Sequence, residues 1–133
     1  MKNHILIELL NKQKNDIENN KKLNLNDITR ICKKLNKSIF TNECSLWNGY
    51  ITILKNNDKY INFYFKKKKY ALLRLLYQNF IEDLNKNEYI TNTCDNKGIC
   101  CCINHIIKKN KINKINKKSL DNIKKKKNNY KKK

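Results

Sequence analysis

A chain of 133 residues, 39% hydrophobic and 32% charged, has the length of one domain and the means for one small core. Its formal net charge is +20, with two glycines and no proline. That excludes a Gly/Pro-rich linker or a fibrous repeat, and it drives the chain onto a polyanion at ordinary salt. No apolar run is long enough to span a bilayer; Glu8 interrupts the N-terminal stretch MKNHILIELLNKQ, and no small-residue cleavage site follows it. The expectation is an intracellular protein with reduced thiols, neither secreted nor membrane-bound.

Lys and Asn dominate the composition, as in an A/T-rich genome such as that of a parasite or a large DNA virus. Codon bias of this kind inflates lysine everywhere, but the charge here is also unevenly placed. The compartments that fit are a nucleus, a viral factory or a virion. Nucleic acid is the expected partner, DNA ahead of RNA, and the oligomeric state is not legible.

In chain order, residues 3–20 read as a helix with the stripe Ile5, Leu6, Leu9 and Leu10. After the break NNKKLN, a second helix is expected with Asn26 as N-cap, Asp27 in the first turn and the stripe Ile28, Ile31, Cys32 and Leu35. Residues 44–65 change period. WNGYITIL and KYINFYF are rich in aromatic and β-branched residues around an NND turn, which predicts a hairpin. In its second strand Ile61, Phe63 and Phe65 share the buried face, and Tyr60, Asn62 and Tyr64 the wet one.

Leu72, Leu73, Leu76, Tyr77 and Phe80 then predict a helix over about 70–84. Arg74 interrupts that stripe; it snorkels, pairs with a carboxylate, or reaches a phosphate. From Lys108 onward thirteen lysines against Asp121 carry +12 of the total charge. A helix to about 116 and a short one capped by Ser119 are expected there, followed by the tail KKKKNNYKKK. Such a tail is a nucleic-acid-binding arm, an import signal or a solubilising end. The organisation read from these elements is a helical segment 1–39, a cysteine-containing domain 40–107 and a lysine-rich arm 108–133.

Cys94, Cys100 and His105 fall at C-x5-C-x4-H within TCDNKGICCCINHI. Three soft or borderline ligands so close suit tetrahedral Zn²⁺, and a structural site takes a fourth. Cys44, which opens the hairpin in NECSLWNGY, fits that place. Cys32 lies at an apolar helix position and reads as core. Cys101 and Cys102 either replace Cys100 as a ligand or are packed small apolar residues. The alternative is that all six are buried free thiols.

NECSLWNGY, KKKYALLRLLYQNF and TNTCDNKGICCCINHI, in that order over residues 40–107, resemble the zinc-binding loop region of His-Cys box homing endonucleases and their HNH relatives. The resemblance implies structural zinc on Cys44, Cys94, Cys100 and His105, and a ββα-metal core in an α+β domain. It departs from the family at the chemistry. Asn92 stands where the general-base histidine belongs; Lys114, with Asn113 and Asn116 nearby, stands where the Mg²⁺-binding Asn belongs; Cys102 and Ile103 replace the Asn-Pro turn.

Hydrolysis by this route needs a neutral imidazole and a hard divalent cation. With His105 on zinc, only His4 remains. Freeing His105 as the base would require Cys101 or Cys102 as the fourth ligand.

The expected protein is therefore a zinc-containing DNA-binding protein that does not cut. The alternatives are an active Mg²⁺-dependent HNH-type endonuclease and a basic packaging protein of a virion or chromatin. Expected nucleic-acid contacts are Lys66, Lys67, Lys68 and Lys69 beside Tyr60, Tyr64 and Tyr70, then Arg74, and Lys124, Lys125, Lys126 and Lys127 of the tail.

Overall fold

The computed structural model describes residues 3–110. Helices α1 (Asn3–Lys12) and α2 (Leu25–Lys33) come first. Two antiparallel hairpins follow, β1 (Thr52–Ile53) with β2 (Lys59–Tyr60) and β3 (Asn62–Phe65) with β4 (Lys68–Ala71). Helix α3 (Leu72–Phe80) starts directly after β4, and β5 (Glu88–Asn92) pairs antiparallel with β6 (Ile106–Asn110). The loop between them ends in a 3-10 turn, Ile103–His105. Among the described residues this is a mixed fold of helices and small antiparallel sheets. The expectations for Asn113, Lys114, Asn116, Ser119 and Lys124–Lys127 concern residues outside those described.

One apolar cluster runs from Ile5 and Leu9 through Ile28, Ile31 and Leu35 to Phe63, Phe65, Leu72, Leu76 and Cys101. It crosses the expected boundary at residue 39, so the N-terminal helices and the cysteine-containing region share a core. Phe65, Leu72 and Leu76 are all but inaccessible, and each such side chain contributes on the order of 1.5–3 kcal/mol by leaving water.

α1 ends at Lys12, eight residues short of the expected end. Residues 13–24 instead wrap the end of α3 and are held by one buried side chain, Asn79. Its Oδ1 accepts from Gln13 Nε2 (2.8 Å) and from the Leu23 N–H (3.0 Å), and its Nδ2 donates to the carbonyls of Lys21 (3.0 Å) and Leu75 (2.8 Å). These bonds replace the helical ladder that the polar run after Lys12 lacks the apolar stripe to stabilise.

α2 is capped by Asn24, not Asn26. Asn24 accepts from the Asp27 N–H and the Asp27 carboxylate accepts from the Asn24 N–H, a reciprocal capping box. Arg30 then ties α2 to β3: it pairs with Asp27 at 2.8 Å, donates to the Tyr64 carbonyl at 2.9 Å and lies 4.3 Å above the Phe63 ring.

The single hairpin expected over 44–65 is two. The NND turn does join β1 and β2, but β3 reverses again at Lys66–Lys67, where φ is +51° and +68°. Two successive left-handed residues define a type I′ turn, a geometry that favours Asn-Gly. Lysines there carry no turn signature, so nothing in the sequence announces the strand Lys68–Ala71 ahead of the helix expected from about 70. The facing was legible: Ile61, Phe63 and Phe65 are buried and Tyr64 is exposed.

α3 is correspondingly shorter than 70–84 at both ends. At the other end, Lys108 opens no helix. It lies in β6, where pairing with Ile90 and its neighbours satisfies the backbone.

Asn79→Ala would leave the Leu23 N–H and the Lys21 carbonyl without buried partners. The expected loss is about 2–4 kcal/mol, read as a lower urea midpoint at unchanged slope.

Candidate metal centre

Four side chains converge from segments far apart in sequence. Cys44, Cys94, Cys100 and His105 each offer one ligand atom, all within 4.8 Å of one another. His105 Nδ1 stands 3.5 Å from Cys44 Sγ and 3.5 Å from Cys100 Sγ. A tetrahedral zinc with Zn–S of about 2.3 Å and Zn–N of about 2.0–2.1 Å sets an S···N edge of about 3.5 Å. The donor set and these two separations therefore fit such an ion. This group could hold a metal ion such as zinc.

Each ligand is delivered by backbone pairing. Residues 45–47 run antiparallel to 99–101: the Trp47 N–H donates to the Ile99 carbonyl at 3.1 Å and the Cys101 N–H to the Ser45 carbonyl at 2.7 Å. That register pairs Leu46 with Cys100 and sets Cys44 diagonal to Cys100, on the same face two residues away. The 3-10 turn brings His105 back, and its carbonyl accepts from the Thr93 N–H at 2.8 Å. Gly49 is required next to this segment, because a Cβ there would lie 2.6 Å from the Trp47 indole nitrogen.

The loop between Cys94 and Cys100 is a tight turn closed by Asn92. This side chain is buried; its Oδ1 accepts from the Gly98 N–H at 2.7 Å and its Nδ2 donates to the Cys100 carbonyl at 3.0 Å. The Asn92 carbonyl in turn accepts from Lys97 Nζ at 2.9 Å. Gly98 sits at φ +81°, and a Cβ there would come within 1.8 Å of the Lys59 carbonyl. The loop can thus lie on β2 only with glycine at this position.

The thiols feel their surroundings differently. Cys44 is held below the ordinary thiol range, first by the Asn96 amide, which donates to its sulfur at 3.2 Å. Burial pushes the Cys100 thiol up to about 12. A cation among them would reverse that sign, since coordinating thiols are deprotonated.

Cys101 and Cys102 stay out of the cluster. Cys101 is fully buried in the apolar core, and the Cys102 thiol donates to the Thr41 carbonyl at 2.9 Å. The arrangement that would free His105 by using either as a ligand is not the one adopted. Cys32 is buried in the core, as its helix position implied.

Among the other residues singled out in the sequence, Lys66, Lys67, Lys68 and Lys69 are exposed at the tip of the β3–β4 hairpin. Arg74, a candidate phosphate contact, donates to the main-chain carbonyls of Glu88 and Asn85, fastening the loop after α3. The hairpin β3–β4 and α3 occur in ββα order, but no ligand of the cluster comes from them. The role of Asn92 was not legible beforehand. The only signal for it was its position two residues before Cys94.

No family model and no solved structure matches the chain. It is similar to the uncharacterized protein R328 of Acanthamoeba polyphaga mimivirus, with 51% identity over 135 residues. The match covers 91% of this chain and 39% of that protein, so the chain spans about two fifths of its relative's length. No helix among the described residues is long and apolar enough to cross a membrane.

Asn92→Ala would release both the Gly98 N–H and the Cys100 carbonyl from the ligand loop. Metal affinity is expected to fall about 10–100-fold, as when the supports of a ligand are removed. Competition with a chromogenic chelator would measure the change.

Proposed function

We propose that the chain is a zinc-containing, nucleic-acid-binding domain of a viral protein, with DNA favoured over RNA, related to the His-Cys box and HNH nucleases and lacking their cleavage. The zinc assignment rests on the Cys3His donor set, gathered within 4.8 Å, and on two S···N separations of 3.5 Å that match a tetrahedral edge. The reading without cleavage rests on Asn92: it occupies the place of the general base, and its amide is committed to the ligand loop. An amide does not take a proton from water near neutral pH.

The observation that carries nucleic-acid binding is the placement of charge. All but one of the acidic residues, Asp121, lie within the described part of the chain. Asp16, Glu18, Asp27, Glu43, Glu82, Asp83 and Glu88 are each in an ion pair there. Lys66–Lys69 make no ion pair among the described residues. They project from a hairpin tip beside exposed Tyr64. A cluster of uncompensated cations next to an aromatic ring suits a phosphate backbone with stackable bases. Lys66 and Lys67 occupy left-handed positions that Asn and Gly fill at less cost. Charge at the tip is thereby kept at the expense of stability, as binding sites often do.

Two measurements test this reading. Native mass spectrometry under reducing conditions should find one zinc per chain, lost together with the fold on chelation or on Cys94→Ser. The double substitution Lys66→Asn, Lys67→Gly should raise stability by about 1–2 kcal/mol. It should also weaken DNA binding and reduce the slope of log K against log salt by about 2. A more stable protein with undiminished DNA binding would remove the hairpin tip from the interface.

A further inference from the structure

Five polar or charged residues are buried among those described: Asp27, Ser45, Gln78, Asn79 and Asn92. Four have their side chains fully employed. Asp27 closes the capping box and pairs with Arg30; Ser45 donates to the Lys37 carbonyl at 2.6 Å; Asn79 and Asn92 are the clamps already described. Gln78, at 4% exposure, makes no side-chain hydrogen bond among the described residues. A buried amide left unpaired costs about 1–3 kcal/mol. Its neighbour Asn79 satisfies four bonds on the same turn of helix, so the fold is able to pair such groups.

Gln78 lines a cavity of about 300 Å³ formed with Tyr70, Leu75, Leu84 and Lys86, with Arg74 beside it. α3 supplies the floor, since Arg74, Leu75 and Gln78 share one face. Tyr70 adjoins Lys69 at the end of the basic hairpin and stands edge-on to Phe65, with ring centroids 5.3 Å apart. Lys86 is exposed and makes no ion pair among the described residues. The volume lies at the bottom of the range for ligand clefts, about 300–1,000 Å³. It suits one flat ring, with the rest of a nucleotide left outside near Lys86.

We infer that this cavity takes a single unstacked base from a nucleic-acid strand, adenine by preference, with Gln78 reading its Hoogsteen edge. The inference rests on the nucleic-acid-binding reading above and names where and how that binding discriminates. An amide offers one donor and one acceptor side by side. On the Hoogsteen edge adenine alone presents the complement, the N6 amino donor next to the N7 acceptor, where cytosine offers only its N4 donor. Tyr70 and Leu84 supply the aromatic and aliphatic walls against which a base is held. The phosphates of the same strand then reach the lysines of the hairpin tip.

The test compares binding of labelled single-stranded oligonucleotides of adenine only and of cytosine only to the full zinc-loaded chain, by fluorescence anisotropy. The wild type should favour the adenine strand by about tenfold, the discrimination of one good bidentate pair. Gln78→Leu should bring the adenine strand down to the affinity of the cytosine strand. It should melt at or above the wild-type temperature, because an unpaired buried amide is removed. Gln78→Glu, which accepts but does not donate, should move the preference toward cytosine and its N4 donor.

Equal wild-type affinity for both strands, or a preference that survives Gln78→Leu, would overturn the base pocket. Sequence-blind binding could persist in that case, and the nucleic-acid reading would stand. Failure to bind any strand, single or double, would overturn both. A change in melting temperature alone, with strand preference intact, would mean that Gln78 is satisfied by water and reads nothing.

Discussion

The closure of the 93–105 loop onto residues 44–47 is the constraint on which the site and much of the core depend. Without it, Cys44 and His105 are sixty-one residues apart on segments with little regular structure. Antiparallel backbone bonds align the two segments, and the alignment has consequences in two directions at once. Outward, it gathers three sulfurs and an imidazole nitrogen. Inward, it sends Cys101 into the apolar cluster between the helices and the β3–β4 hairpin. Successive residues of an extended chain point to opposite sides, so one stretch of chain both builds the cluster and seals the core. A cation at the cluster would tighten that same seam, and in a core this small, metal binding and folding become one equilibrium.

Asn92 shows how a single side chain constrains what such a scaffold can do. A base must have a lone pair free and directed at water. Asn92 has neither a basic lone pair nor a free amide, for both ends hold the ligand loop shut. Its burial follows from that work, since a clamp between two backbone groups is strongest away from water. The position closest to the ligand loop is thus spent on geometry.

The sequence was most informative where chemistry is local and periodic. The alternation of Ile61, Phe63 and Phe65 against Tyr60, Asn62 and Tyr64 marked a strand with a buried face, and the spacing of Leu72 and Leu76 marked a helix. The cysteine and histidine spacing, with Cys44 as the fourth member, marked the group that the fold assembles. It was least informative where tertiary partners decide. Asn79 ends α1 from sixty-six residues away, and nothing around Lys12 announces it. Lys66–Lys67 turn the chain in a conformation that lysine disfavours, so the second hairpin was invisible to turn chemistry. Lys108 became strand because Ile90 lay opposite. The engagement of Arg74 with the carbonyls of Asn85 and Glu88 likewise depends on where the loop after α3 comes to rest.

The same comparison separates lysines that composition explains from those that structure selects. Lys dominates the composition and is scattered over the exposed surface, and most of the ion pairs here are what such scatter finds nearby. Exposed pairs of this kind contribute little, about 0–1 kcal/mol each. The chain is rich in Asn as well as Lys, and Asn is the residue that a left-handed turn accepts at low cost. At Lys66 and Lys67 the chain therefore had the better turn former available from the same composition and carries the cation instead. The exposed tip, the absence of acidic partners among the described residues and the strained backbone coincide at those two residues. Background composition accounts for the first of these features but not for their coincidence. A polyanion held at the tip would account for all three.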